Sequence, residues 1–238
     1  MKKRKYLMKT ILENDLDFFC DIQSPCFQVL SHEEMELIKT SKTQVVFRKG
    51  DNLTKQGAFI GYVLFLVKGF VKQYIEGPGG KSFNLRLLSP GHFVGLSSMY
   101  TQNVYQYSSV AINEAQAILI DSKTIIEISQ HNPLFSYAIS KRFHLQNETF
   151  YEIMRKTMFK QMHGRLADTL LYLSSDAFAS IDVFPMLSRK DVAEFAGMST
   201  ESTVKTLKSF EIDGIIELKE KQIIIRNKSK LLEISDLG

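Results

Sequence analysis

The sequence predicts an α+β protein: short antiparallel strands first, then a long helix, then a helix-turn-helix with a wing. Three observations carry this. Residues 45–122 fall into short apolar runs broken by Gly, Pro and Asn, the pattern of an antiparallel barrel or sandwich. After Pro133 a stripe of residues alternates steps of four and three. Residues 188–210, SRKDVAEFAGMSTESTVKTLKSF, read as two short helices around a tight turn, and the hairpin signal IIELKEKQIIIRN follows.

In the strand region, TQVVFRKGDNL, GYVLFLVKGFVKQYI, SFNLRLL and YSSVAINEAQAILID supply the runs. Glu76-Gly77-Pro78-Gly79-Gly80-Lys81 reads as a loop joining VKQYI to SFNLRLL in a hairpin. The pattern turns helical at Ser122, with a short helix over 122–128, and Asn132-Pro133 is a start signal that puts Pro in the first turn. Along the long helix, Ile139, Phe143, Gln146, Phe150 and Ile153 form a coiled-coil-like seam. Such a seam pairs with a second copy of the chain, or it faces the protein's own barrel; pairing would give the two-fold symmetry a helix-turn-helix uses to read two half-sites. Residues 169–178 are expected in a linking helix and 176–184 in a flexible approach to the last domain.

In the helix-turn-helix, Val192, Ala193 and Ala196 make a small apolar face. Gly197 supplies the turn, and Ser199 is a good N-cap. Val204, Leu207 and Phe210 are the expected buried stripe. A second helix of this kind enters the major groove N-terminus first, which places Thr200, Glu201 and Lys205 near base edges or phosphates. Glu201 can accept from a cytosine amino group, and Lys205 can donate to guanine or phosphate. Ser188, Arg189, Ser199, Ser202 and Lys208 complete the expected contact set with double-stranded DNA. Nine basic residues, from Arg189 to Lys230, gather in this stretch.

Composition bounds the remainder. With 44% hydrophobic and 24% charged residues, 238 positions make one large or two modest globular domains. A net charge of +4 suits a polyanionic partner without arguing for one. No apolar run is long enough to cross a bilayer, and the basic start MKKRKYLMK lacks a signal-peptide apolar region, so the expected location is cytoplasmic. No enzyme is expected. His32, His92, His131, His144 and His163 are scattered without metal-ligand spacing, no phosphate-binding loop is present, and no carboxylate pair suggests acid–base chemistry. Cys20 and Cys26 are two thiols where a conventional cluster needs four. They leave open packing, a thiol switch, or a shared cluster across a dimer.

The order of these parts resembles the CRP/FNR family of bacterial transcription regulators. The resemblance rests on Phe47-Arg48-Lys49-Gly50-Asp51, Gln56-Gly57, residues 64–71 with Gly69, Leu88-Ser89-Pro90-Gly91-His92-Phe93-Val94-Gly95, Arg165-Leu166-Ala167 and residues 187–225, over roughly residues 20–232. It implies a cyclic-nucleotide-binding-type β-roll, jelly-roll-like, as the sensing domain over 1–131, a dimerisation helix over 132–160 and a winged helix-turn-helix over 161–238, in a homodimer that works with RNA polymerase. It also implies that Glu201 and Lys205 stand where the family carries a base-reading Glu and Arg; lysine keeps the charge but loses the bidentate fork. The family's cyclic-AMP-responsive members hold ribose with a Glu and the cyclic phosphate with an Arg. Here Leu96 follows Gly95, and Tyr107 precedes Ser108, so neither role is filled and a buried phosphate would lack compensation. Gly95, Leu96, Ser97, Ser98, Tyr107 and Ser108 remain as candidates to line a pocket for another small effector, or as ordinary turn residues. No cofactor is expected.

Overall fold

The computed structural model describes residues 9–10, 26–101, 103–178 and 181–238. Its chain forms two compact units, Met1–Ile75 with Leu87–Gln146, and Glu76–Arg86 with Asn147–Gly238.

The first unit is the β-roll. One sheet has the order β1 (Lys9–Thr10), β2 (Lys42–Phe47), β9 (Ala115–Asp121), β4 (Tyr62–Lys68), β7 (Phe93–Val94). The other has the order β3 (Asn52–Thr54), β8 (Ser108–Ala111), β5 (Val71–Glu76), β6 (Ser82–Leu88), of which β6 up to Arg86 falls in the second unit. The ladders of β2 with β9, β3 with β8, β4 with β7 and β9, and β5 with β8 are antiparallel, as the turn-rich sequence implies. In β4 four consecutive residues, Val63 to Leu66, are buried, because the strand lies between β9 and β7 with both faces covered. In β2 the burial alternates, Val45 and Phe47 inward. The turn expected at residues 76–81 is present, a tight one at Pro78–Gly80 joining β5 to β6, and Gly77 N–H donates to Lys81 C=O at 2.8 Å.

Aromatic packing centres the roll's core. Phe27, Phe65 and Phe93 meet with centroids 5.0–5.5 Å apart, Phe27 and Phe65 edge to face. Burying each such ring stabilises by about 1.5–3 kcal/mol. Around them close α1 (His32–Ser41) and α2 (Ser122–His131), whose Ile38, Ile125 and Ile128 are buried in the same core. α1 begins at a capping box: Glu34 N–H donates to Ser31 Oγ while Ser31 N–H donates to the Glu34 carboxylate at 2.8 Å. That bond lowers the Glu34 carboxyl below its ordinary range. Asn132 Oδ1 accepts from Phe135 N–H at 3.0 Å and caps the long helix α3 (Pro133–Phe159), which starts at Pro133 as expected.

Of the expected pairing seam, Ile139 and Phe143 face the roll's own core instead. Ile139 is only 2% exposed and belongs to the roll's own core, with Phe143 packed against that core and edge-on to Tyr100 at 6.1 Å. Gln146, Phe150 and Ile153 are half-buried on the protomer itself. Spacing of four and three marks any buried helical stripe, so it could not tell a partner from the chain's own core. The exposed large apolar residues of α3 lie elsewhere: Leu134, Tyr137, Leu145, Tyr151, Met154, Met158 and Phe159.

The second unit is the reader. α3 ends at Phe159 and α4 (Met162–Leu173) follows, so the linking helix stops at Leu173 rather than reaching Phe178. Phe178, Val183 and Phe184 in the approach segment are buried, anchoring a stretch expected to be loose. Then come α5 (Arg189–Ala196), α6 (Thr200–Ile212), the wing strands β10 (Ile216–Lys219) and β11 (Gln222–Ile225), and α7 (Lys228–Leu237). The terminal helix packs on α4. Ser235 Oγ donates to Asp168 Oδ1 at 2.5 Å, and the Lys160 ammonium meets Asp168 Oδ2 at 2.9 Å, joining the break between α3 and α4 to α7.

Candidate functional site

The reading head is assembled by local signals. Ser188 caps α5 through a capping box, its N–H donating to Asp191 Oδ2 at 2.7 Å while Asp191 N–H donates to its Oγ at 3.1 Å. Gly197 ends α5 at φ 60°, a left-handed position that glycine takes without penalty, and this reversal sets the crossing of the two helices. Ser199 then caps α6, accepting from Ser202 N–H at 3.0 Å and donating to Ser202 Oγ at 2.9 Å.

Helical periodicity then divides α6 into faces. Thr203, Thr206, Leu207 and Phe210 are buried, whereas Val204, expected in that stripe, is half-exposed. The two threonines are admitted because their hydroxyls donate to the Ser199 and Ser202 carbonyls at 3.0 Å, leaving their methyl groups to pack. Thr200, Glu201, Lys205 and Lys208 lie on the exposed side. Glu201 and Lys205 pair at 2.8 Å one helical turn apart, with 78% and 74% of their side chains exposed. A pair so exposed holds by a few tenths of a kcal/mol and opens readily to another partner.

Ser188, Ser199 and Ser202 spend hydrogen bonds on caps, and Arg189 Nη2 donates to the Glu220 carbonyl at 3.2 Å, tying α5 to the wing turn. Partial burial lowers the Arg189 pKa without removing its charge. Glu220 sits at φ 50° in the two-residue turn between Lys219 and Gln222, a turn geometry that favours Gly or Asn. The charge gathering is weaker than the basic residues alone suggested. Seven acidic residues lie in the same stretch as the nine basic ones, a net of +2, and Lys190, Lys205, Lys219, Arg226 and Lys230 all pair with acidic neighbours. Lys208 and Lys221 stand outside these pairs.

The roll treats its candidate residues in the opposite way. Gly95, Leu96, Ser98, Tyr107 and Ser108 are all buried, and Ser97 half-buried. Gly95 N–H, which could have faced a ligand, donates to the Tyr107 hydroxyl at 2.9 Å. Gln106 N–H reaches Ser98 Oγ at 3.4 Å, and Gln56 N–H donates to Ser108 Oγ at 3.0 Å. Tyr105, which sequence reasoning passed over, lies over Gly95 so closely that a methyl group there would stand 2.6 Å from its Cε1. Its hydroxyl donates to the Tyr62 carbonyl at 2.7 Å, and burial, with the neighbouring Tyr107, pushes its pKa up to about 12. The structure therefore sets Tyr105 and Tyr107 against Gly95 and answers Gly95 N–H, Ser98 Oγ and Ser108 Oγ from within the chain.

Cys26 is buried in the roll core as a free thiol, and Cys20 lies outside the described residues. Among the described residues no cluster of His, Cys, Asp and Glu could hold a metal ion, and no helix is long and apolar enough to cross a membrane.

An antiparallel roll, a long helix and a helix-turn-helix with a wing and an exposed second helix define a two-unit chain of β-roll followed by helix-turn-helix. Comparison with known proteins agrees. Residues 44–132 match the model of the cyclic nucleotide-binding domain, and residues 164–234 that of the Crp-like helix-turn-helix domain. The chain is 22% identical over 213 residues to the cyclic AMP receptor protein of Thermus thermophilus, covering 89% of this chain and 97% of the relative. It is 25% identical over 177 residues to the cAMP-activated global transcriptional regulator CRP of Salmonella typhimurium, covering 73% and 84%. Among solved structures, a crp/fnr-family regulator from Eubacterium rectale superposes with a TM-score of 0.77 at 17% identity, covering 89% of this chain and 98% of the other. The c-di-GMP responsive regulator CLP of Xanthomonas campestris superposes with a TM-score of 0.72 at 17% identity, covering 82% and 99%. The chain belongs to the CRP/FNR family of transcription regulators, with a helix-turn-helix DNA-binding domain.

Proposed function

We propose that the protein is a homodimeric, sequence-specific regulator whose α6 reads the major groove through Thr200, Glu201, Lys205 and Lys208, and whose roll does not respond to cyclic AMP. The observation that carries the reading is the outward face of α6: exposed, capped by Ser199, and bearing a carboxylate and an ammonium joined only to each other. Ser188, Arg189, Ser199 and Ser202 hold the helices and wing in place, and Lys221 on the wing turn reaches phosphate.

Two copies would pair along α3 through Tyr137, His144, Tyr151 and Met158, exposed residues seven apart that form a self-complementary seam. The protein acts on DNA in the cytoplasm and, as its family suggests, together with RNA polymerase. Its relatives are named for cyclic AMP and its structural neighbour for c-di-GMP, so the family alone does not choose a nucleotide. Against cyclic AMP stand Leu96 and Tyr107 in place of the ribose-holding and phosphate-holding residues, and the Gly95 amide already given to Tyr107.

Selection of bound duplexes from a random pool tests the reading. An enriched site should be bound far more tightly than random duplex, with affinity falling as salt rises. Glu201→Ala should relax base preference, and Lys205→Ala should weaken binding by about 1–3 kcal/mol. Unchanged affinity and preference in both variants would remove these residues from the reading head.

A further inference from the structure

Within the second unit lies a cleft of about 80 Å³, walled by β6, the C-terminal half of α3, α4 and the end of α5. Its polar groups are incomplete in a specific way. Asn84, 1% exposed, donates through Nδ2 to the Asp191 carbonyl at 2.9 Å, but its Oδ1 is buried and accepts no hydrogen bond among the described residues. Arg165 Nε is likewise buried without an acceptor. An orphaned group of this kind costs about 1–3 kcal/mol, and more when it is charged.

The two orphans are complementary, an amide oxygen lacking a donor and a guanidinium N–H lacking an acceptor, yet they do not bond each other. Whatever sits between them must offer both. The space exceeds that of a single water, for which about 10–15 Å³ suffices. The wall is more apolar than polar, with Leu85, Ile153, Tyr172 and Phe195 among its lining, which favours an organic molecule over water alone. Lys156 adds a second cation near Arg165, and Glu152 supplies one anion on the same helix. The Thr157 and Thr169 hydroxyls donate to their own helix carbonyls, at 2.8 and 2.9 Å, and so give that occupant no donor.

We propose that this cleft binds a small carboxylate carrying a hydroxyl or amino group on its second carbon. The carboxylate accepts from Arg165 Nε and faces Lys156. The hydroxyl or ammonium donates to Asn84 Oδ1, and an ammonium also faces Glu152. The site shares no residue with the roll's candidates at 95–98 and 107–108. Because its walls come from the long helix on one side of the Lys160–Gln161 break and from α4 and α5 on the other, an occupant would favour the arrangement of the reader helices that closes on it.

The test uses the full chain, labelled with nitrogen-15 and titrated by NMR with L-serine, lactate, propanoate and inorganic phosphate, without DNA, so that a failure to read DNA leaves the result unaffected. L-serine or lactate should saturably shift the backbone amides of Asn84, Arg165 and Phe195. Propanoate, which lacks the second-carbon donor, should bind at least tenfold more weakly, and phosphate should not mimic the pattern. Asn84→Leu should weaken binding at least tenfold, and so should Arg165→Lys, which retains the charge but not the planar N–H; both variants are first checked for a native spectrum. If neither L-serine nor lactate shifts these amides, the cleft holds only water and the proposal is overturned. Shifts confined to the roll, or equal in wild type and both variants, would overturn it as well.

Discussion

The roll and the reader carry their chemistry on opposite sides of their surfaces. In the roll, Gly95, Ser98, Tyr107 and Ser108 are turned inward and answered by the chain itself. In the reader, Thr200, Glu201, Lys205 and Lys208 face outward, and Glu201 and Lys205 join in a solvent-exposed ion pair. The difference follows from the two kinds of partner. A duplex is larger than the domain and can be met only by a convex, exposed helix face, which helical periodicity produces directly. A small ligand needs a concavity, and whether one exists depends on which side chains the fold brings across it. Here Tyr105 and Tyr107 both lie against Gly95.

The largest expected effect breaks the closed side of this contrast. Gly95→Ala adds a methyl group at φ 89° and against the Tyr105 ring, and should destabilise the chain by about 2–4 kcal/mol, read as a lower urea midpoint. A loss under half a kcal/mol would mean that the tyrosines are not packed there. Next, Ser188→Ala removes a cap from the reader and should cost about 1 kcal/mol without altering base preference, a combination that separates positioning from reading. Smaller still is Tyr107→Phe, which frees the Gly95 amide. It should cost about 0.5–1.5 kcal/mol, and ligand-independent DNA affinity should stay unchanged.

The gentlest probe is alkaline titration. An unfolded tyrosine ionises near pH 10, whereas Tyr105 is raised to about 12 by burial and by Tyr107. The favoured species is the neutral phenol. The stability it contributes is therefore fully present below about pH 10 and is lost as pH rises through about 12. Phenolate absorbance should show one tyrosine ionising late, and Tyr105→Phe should abolish that step.

Local signals were legible in the sequence, and long-range ones were not. The caps at Ser199 and Asn132-Pro133, the Gly197 turn and the 76–81 hairpin each depend on a few neighbouring residues, and all appear where expected. The helix at His32–Ser41 was also readable, through the Ser31…Glu34 capping box, yet passed unnoticed, as did the terminal helix announced by Asn227. Ile139 and Phe143 of the expected pairing seam were misplaced for another reason. Ile139 and Phe143 have the spacing of a coiled coil, but only the fold shows that the aromatic core of the roll lies beneath them. Charge misled in a similar way, since Lys190 and Arg226 count as basic until Glu194 and Glu217 are placed beside them. Tyr105 lies over Gly95, ten residues before it, Asn84 and Arg165 line one cleft from far along the chain, and no local pattern announces either.

The central claim is that the outward face of α6 reads DNA while the roll is already filled. Its most direct test is the affinity of purified protein for its selected duplex, measured across a salt series with and without cyclic AMP, in wild type and Glu201→Ala. The account predicts tight, salt-dependent, site-specific binding that cyclic AMP does not change and that loses base preference in Glu201→Ala. Binding that appears only when cyclic AMP is added, or that stays equally selective in Glu201→Ala, would contradict it.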